Sequence, residues 1–147
     1  MNENWNRWIL ASLNVYFNSQ KGSDFLLIEG IKESNLPTDR LELRINGPSF
    51  VEIVKDCWSV HVDINILIRT KPDTIYEHTD RIGLVQKMFA TNIMTTKTGN
   101  VSDTGDDFTC LIRENDLITD DFGRTNEPNN LLFTTVEATY KGEINWP

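Results

Sequence analysis

Residues 58–69 read WSVHVDINILIR, and the alternation in this stretch decides the fold class. Trp58, Val60, Val62, Ile64, Ile66 and Ile68 fall on one face of an extended chain. Ser59, His61, Asp63, Asn65 and Arg69 fall on the other, with Leu67 the one exception. Side chains alternate across a strand with period two, so this is a strand with one buried face. A slip of one residue would turn the whole apolar set the wrong way. At ~3.3 Å per residue the strand spans about 40 Å, long for a domain of this size. Its polar face must look at solvent, a lumen or another subunit.

Toward the N-terminus, Leu41, Leu43 and Ile45 alternate with Glu42 and Arg44, a second half-buried strand that Asn46-Gly47-Pro48 is expected to stop. Phe25 to Glu29, closed by Gly30, reads as a short edge strand before the Pro37 loop. Asn2 to about Phe17 reads as an amphipathic helix: Trp5, Trp8, Ile9, Leu13 and Tyr16 recur at spacings of three and four. Asn2 or Asn4 can cap its start, and the stretch Asn18 to Asp24, with Gly22, ends it. Its two tryptophans dock on the domain's own sheet or on a neighbouring subunit.

Toward the C-terminus, Pro72-Asp73-Thr74 opens a second helix, with Asp73 or Thr74 as cap. Ile75, His78, Ile82, Val85 and Phe89 form its apolar stripe, Met88 widens it, and it ends near Ala90 or Thr91. Ile93 and Met94 are a brief apolar step. Residues 95–107 (TTKTGNVSDTGDD) and 119–130 (TDDFGRTNEPNN) read as long polar loops. Between them Phe108, Cys110 and Ile112 alternate as a strand. Leu132 to Tyr140 is the last strand, with Leu132, Val136, Ala138 and Tyr140 on one side and Thr135, Glu137 and Thr139 on the other; Thr134 is the exception. Trp146 and Pro147 have little to hold them locally. The expected fold is α+β: an antiparallel or mixed sheet with one long central strand, and two main helices packed on one face.

A chain of 147 residues fits a single domain, taken as 1–147, and buries enough surface to fold without disulfide or metal. Lys and Arg number 14 against 22 Asp and Glu, a net charge of −8, which argues against a duplex-binding groove; DNA could still slide past such a surface without being held. The start, MNENWNRWIL, lacks the basic-then-apolar pattern of a secretory leader, and no apolar run approaches the ~20 residues of a membrane span, so synthesis in the cytoplasm is expected. Cys57 and Cys110 are far apart in sequence and are expected to be reduced and buried.

Enzyme motifs are missing: no glycine-rich phosphate loop, no GxSxG elbow, no HExxH. The chain is therefore expected to catalyse nothing and to need no cofactor. His61 and Asp63, two apart on the outward face of the long strand, could point at one ion, which leaves a small metal-dependent hydrolase as a rival reading. His78, on its helix's apolar stripe, reads as a satisfied boundary residue. The acidic groups Asp103, Asp106 and Asp107, then Asp120 and Asp121, lack the spacing of a calcium loop. They read as solvated loop tips, a partner contact or the lining of a negative channel.

Taken in order, the N-terminal helix (3–17), LELRINGPSF (41–50) leading into WSVHVDINILI (58–68), the helix opened by PDTIYEH (72–78) and the strand TTVEATYKGEI (134–144) resemble the tail-terminator, or tail-completion, proteins of long-tailed bacteriophages. The resemblance spans nearly the full chain and is one of alternation and spacing. It implies a small α+β subunit in a six-membered ring at the head-proximal end of the tail tube, part of the virion neck. There the ring would stop tube polymerisation and join the tail-tube protein to the head connector or stopper. DNA would pass without specific binding, and no catalytic residue is implied. On this reading subunits cap one another's sheet edges around a closed rotation. His61, Asp63 and Asn65, with Thr135, Glu137 and Thr139, are the expected subunit contacts. Asp103, Asp106, Asp107, Asp120 and Asp121 are the expected lumen or partner loops. The rival structural readings are another neck, head-completion or tail-tube protein, and a monomeric binding module.

Overall fold

The alternating stretch forms a strand from Cys57 to Thr70, and a computed structural model places every other element around it. The structure describes residues 2–22, 24, 26–28, 39–71, 75–100, 108–124 and 131–145, without the side chains of 27, 28 and 121–124. The elements run α1 (Trp5–Gln20), β1 (Leu26–Ile28), β2 (Arg40–Val54), β3 (Cys57–Thr70), α2 (Ile75–Met88), β4 (Asn92–Thr96), β5 (Thr109–Arg124) and β6 (Leu132–Asn145). One sheet holds all six strands in the order β1-β2-β3-β6-β5-β4. Short β1 runs parallel to β2 at one edge and the other neighbours are antiparallel, which makes the sheet mixed and the fold α+β. β3 lies inside the sheet but is not uniquely long: β2, β5 and β6 have 15, 16 and 14 residues against its 14.

The even-numbered side of β3 faces the core, as its alternation requires, and the register carries that side across to β6. Val60 lies opposite Gly142, Val62 opposite Tyr140, Ile64 opposite Ala138 and Ile66 opposite Val136. The same hydrophobic cluster takes in Trp5, Trp8, Ile9, Leu13 and Phe17 of α1, and Val85 and Met88 of α2. The tryptophans of α1 therefore dock on the domain's own sheet. Trp5 is fully enclosed between Phe50, Trp58 and Phe108, with ring centroids 5.6, 5.9 and 6.5 Å away. Ser12 ties the helix to β4: its hydroxyl donates to the Trp8 carbonyl at 2.9 Å and accepts from the Thr96 N–H at 3.0 Å. Just ahead of the helix the Asn2 side chain accepts from the Asn4 N–H at 2.8 Å, and Asn4, at the cap position, makes no side-chain cap. α1 also runs three residues past the expected end at Phe17, to Gln20.

Several expectations need correction. β2 does not stop at Asn46-Gly47-Pro48 but runs through it on a bulge, where register shifts between Asn46 and Ser49 and the Gly47–Pro48 peptide is cis. Ile75 does not join the buried stripe of α2: it opens the helix 61% exposed, whereas His78, Val85 and Met88 are buried. Residues 119–124 are not loop but the end of β5, and Thr95 and Thr96 belong to β4. The last strand continues past Tyr140 to Asn145. The stretches 29–38, 101–107 and 125–130, the caps Asp73 and Thr74, and Phe25, Trp146 and Pro147 lie outside the described residues.

A polar hub seats α2. Buried His78 reaches Thr70 Oγ1 through Nδ1 and Thr134 Oγ1 through Nε2, both at 2.8 Å. This explains Thr134, the exception in the β6 alternation: its hydroxyl sits on the core side because a histidine meets it there. Arg81 donates to Thr70 Oγ1 at 3.2 Å and pairs with Glu77 at 3.1 Å and Asp24 at 3.4 Å.

Candidate functional site

On the side of the sheet away from the Trp5–Val60–Tyr140 core, the six expected contact residues come together. Odd-numbered residues of β3 and β6 share this back face, and the antiparallel register sets them in pairs. Asp63 lies opposite Thr139 and accepts its hydroxyl at 2.8 Å; Asn65 lies opposite Glu137 and donates to its carboxylate at 3.3 Å. Thr135 lies opposite Leu67, and His61 stands between Lys141 on one side and Ser49 on the other. Leu67, the exception to the β3 alternation, is only 6% exposed. Beside it Glu42 is buried within reach of three guanidinium groups: Arg40 at 2.7 Å, Arg69 at 3.5 Å and Arg44 at 3.6 Å. Arg69 also lies 5.6 Å from the ring centre of Phe133.

Two concavities mark this face. One of about 360 Å³ is lined by Asn46, Asp63, Asn65, Asp116, Ile118, Glu137 and Thr139. Its outer wall is a bulge in β5, where Asp116 takes the left-handed conformation (φ 56°) and Glu114 accepts the Leu117 N–H at 3.0 Å. The Asn65 Oδ1 atom on its floor is buried without a hydrogen-bond partner among the described residues. The other, about 640 Å³, is lined by Ser59, Leu111, Arg113, Lys141, Gly142, Glu143 and Asn145. Asp116 and Ile118 were not among the expected contacts; an Asx residue at positive φ is a local signal for a bulge, but only register shows which face it joins.

Of the acidic residues, Asp120 is an exposed strand residue opposite Thr135 and belongs to the same back face. Asp121 is in β5 opposite Thr134. Asp103, Asp106 and Asp107 lie outside the described residues. His61 and Asp63 share the face but find no third ligand: among the described residues no group of three or more His, Cys, Asp or Glu is placed to hold a metal ion.

The two cysteines differ. Cys57 is half-buried at the start of β3, while Cys110 is buried and its thiol is pushed up to about 11, chiefly by loss of solvent and in spite of a hydrogen bond with Thr95. Tyr140, whose hydroxyl donates to the Ala90 carbonyl at 2.6 Å, is raised from 10.0, first by burial and then by the charges of Tyr16 and Glu114. For an acid raised in the folded state, stability is full below the unfolded value and is lost as pH climbs through the folded one. Thermal stability should therefore fall from about pH 9 upward as Cys110 (ordinary value 9.0), then Tyr140, would rather ionise unfolded. Melting curves of the wild type and of Cys110→Ser and Tyr140→Phe variants across pH 8 to 11 check this: each variant should decline less steeply. At pH 8 a thiol reagent should label Cys57 well before Cys110.

No protein-family model and no curated protein matches this chain.

Proposed function

We propose that this protein is a structural subunit that works by assembling with copies of itself, and that the assembly is a closed ring of the tail-terminator kind at the head-proximal end of a phage tail. The observation that carries the proposal is the division of labour between the two sides of the sheet. One side holds the core and receives side chains from both helices. The other holds a paired polar ladder, Asp63–Thr139 and Asn65–Glu137, with no described element over it. In this reading the interior pair β3–β6 is the rigid centre, the helices form the outer layer, and the back face is what neighbouring subunits and the passing duplex meet. Acidic and basic side chains are mixed on that face, so it would let a polyanion slide rather than hold it. Tail-tube and head-connector proteins would meet the two unlike ends of the ring.

The test is light scattering and negative-stain imaging of concentrated protein, alone and with purified tail tubes. Closed rings with an open centre, or recruitment to one end of the tubes, are expected. A protein that stays monomeric at every concentration and ignores the tubes would overturn the reading. Asp63→Lys with Glu137→Lys should lower the melting temperature by only a few degrees, about the loss of two cross-strand hydrogen bonds, and weaken assembly at least tenfold.

A further inference from the structure

One cross-strand row of the back face consists wholly of side chains that can donate a hydrogen bond. The register sets Ser49 opposite His61, His61 opposite Lys141, Lys141 opposite Arg113 and Arg113 opposite Asn92. The row thus crosses β2, β3, β6, β5 and β4 without a carboxylate. Residues directly opposite one another share a face of the sheet and lie ~4.5–5.5 Å apart at Cβ. His61 is half-buried and the other four are exposed. Lys141 therefore stands directly beside the Arg113 guanidinium, and like charges so placed are destabilising. Among the described residues neither Lys141 nor Arg113 is in an ion pair, whereas Arg40, Arg44, Arg69 and Arg81 each have a carboxylate. The nearest acids along the strands are Asp63, which accepts the Thr139 hydroxyl, and Glu143, on the wall of the larger concavity that opens over Arg113 and Lys141.

We propose that this row is a contact line for the phosphates of a nucleic-acid backbone. The proposal stands on register and charge, holds for a single copy of the chain, and does not depend on the ring. Three features select the ligand. First, the row suits a chain of anions and not a single one. Four spacings of ~4.8 Å make it about 19 Å long. The ~10 Å from His61 to Arg113 alone spans about three successive charges of a nucleic-acid strand, at one per ~3.4 Å. Second, the groups are those that bind phosphate oxygens, Arg and Lys flanked by Ser and Asn. No aromatic side chain lines either concavity of this face, so a base finds no ring to stack on and the contact is blind to sequence.

Third, an anion laid along the row removes the repulsion between Lys141 and Arg113 that the chain itself leaves in place. The surroundings keep the contact weak. A net charge of −8 repels a polyanion as a whole, and Glu143 and Asp63 stand on either side of the row. Binding is therefore local, brief and readily released by salt.

NMR titration of the protein with a short DNA duplex in low salt, and in parallel with inorganic tripolyphosphate, tests the line. The duplex should shift the amides of His61, Lys141, Arg113 and their strand neighbours and leave those of α2 in place. Raising salt from about 50 to 200 mM should weaken binding roughly tenfold, the slope for two cations. Lys141→Glu and Arg113→Glu should each weaken it by about fivefold or more and lower the salt slope by about one. Neither should lower the melting temperature, because each turns a like-charged opposite pair into an unlike one. Glu143→Gln should strengthen binding. Lys87→Glu, the same change of charge on exposed α2 surface, should alter it by less than about twofold, as a site of fixed position requires. A duplex that leaves the row unmoved overturns the proposal. So does a loss in Lys87→Glu equal to that in Lys141→Glu, since net charge alone would then explain the binding. Tripolyphosphate held more tightly than the duplex overturns the assignment to a nucleic acid. All of these are read on the free chain, so they stand apart from whether rings form.

Discussion

Trp5→Ala should unfold the domain early: a loss of about 3–5 kcal/mol, the cost of removing a large aromatic side chain from a closed core. For a chain near 150 residues each kcal/mol moves the midpoint by roughly 2–4 °C, so a fall of about 10 °C or more is expected in a thermal melt. The size follows from its setting. Trp5 is fully buried, and the rings of Phe50, Trp58 and Phe108 surround it, drawn from β2, β3 and the residue just ahead of β5. Those neighbours sit on separate segments and cannot collapse into the void together. A helix that docked on a neighbouring subunit would behave differently. There Trp5→Ala would weaken assembly and leave the melt of the dilute protein unchanged, and that result would count against the packing described. Tyr76→Ala on α2, at an 86% exposed position, is the matched control and should move the melt little.

What was legible in the sequence is what period two encodes. The faces of β3 and β6 follow from alternation alone, so the six residues expected as contacts could be assigned to one side of the sheet before their pairing was known. The pairing could not. That Asp63 meets Thr139, 76 residues away, depends on the register between two strands, and no local pattern carries it. The misses have local causes too. Asn46-Gly47-Pro48 is a stop signal in isolation, but Gly47 at φ 101° lets β2 bulge and continue; a Cβ there would lie 3.0 Å from the His61 carbonyl. After the bulge the inward parity flips, from Leu41 and Leu43 to Phe50, so the alternation breaks where the strand does not. The end of β5 was read as loop because an edge strand with little to bury has no apolar rhythm to reveal it. Asp120 consequently moved from a loop tip to the back face.

Gly142 offers the second large effect, and it has the same origin. The alternation read in the last strand covers Leu132 to Tyr140, while the resemblance carries that strand through Ile144. β6 continues to Asn145, with Gly142 opposite Val60 on one side and Ile112 on the other. A glycine in the interior of a strand often marks a close approach of another backbone. Here a Cβ would lie 2.7 Å from the Leu111 carbonyl oxygen, 2.9 Å from Ile112 Cγ2 and 3.2 Å from Cys110 Sγ. The first of these is backbone of a strand held between β4 and β6, so it cannot swing aside as a side-chain end would. Gly142→Ala should therefore cost about 2–3 kcal/mol, the upper part of the range for overpacking, and Gly142→Val more. Gly83 in α2 supplies the opposite sign. A Cβ there meets nothing within 4 Å and φ is not positive, so Gly83→Ala should stabilise by about 0.5–1 kcal/mol through helix propensity. Chemical denaturation of the two alanine variants side by side decides the matter. If Gly142→Ala were neutral, β5 and β6 could not approach as closely as described. The wall that Leu111 and Arg113 give the larger back-face concavity would then stand elsewhere.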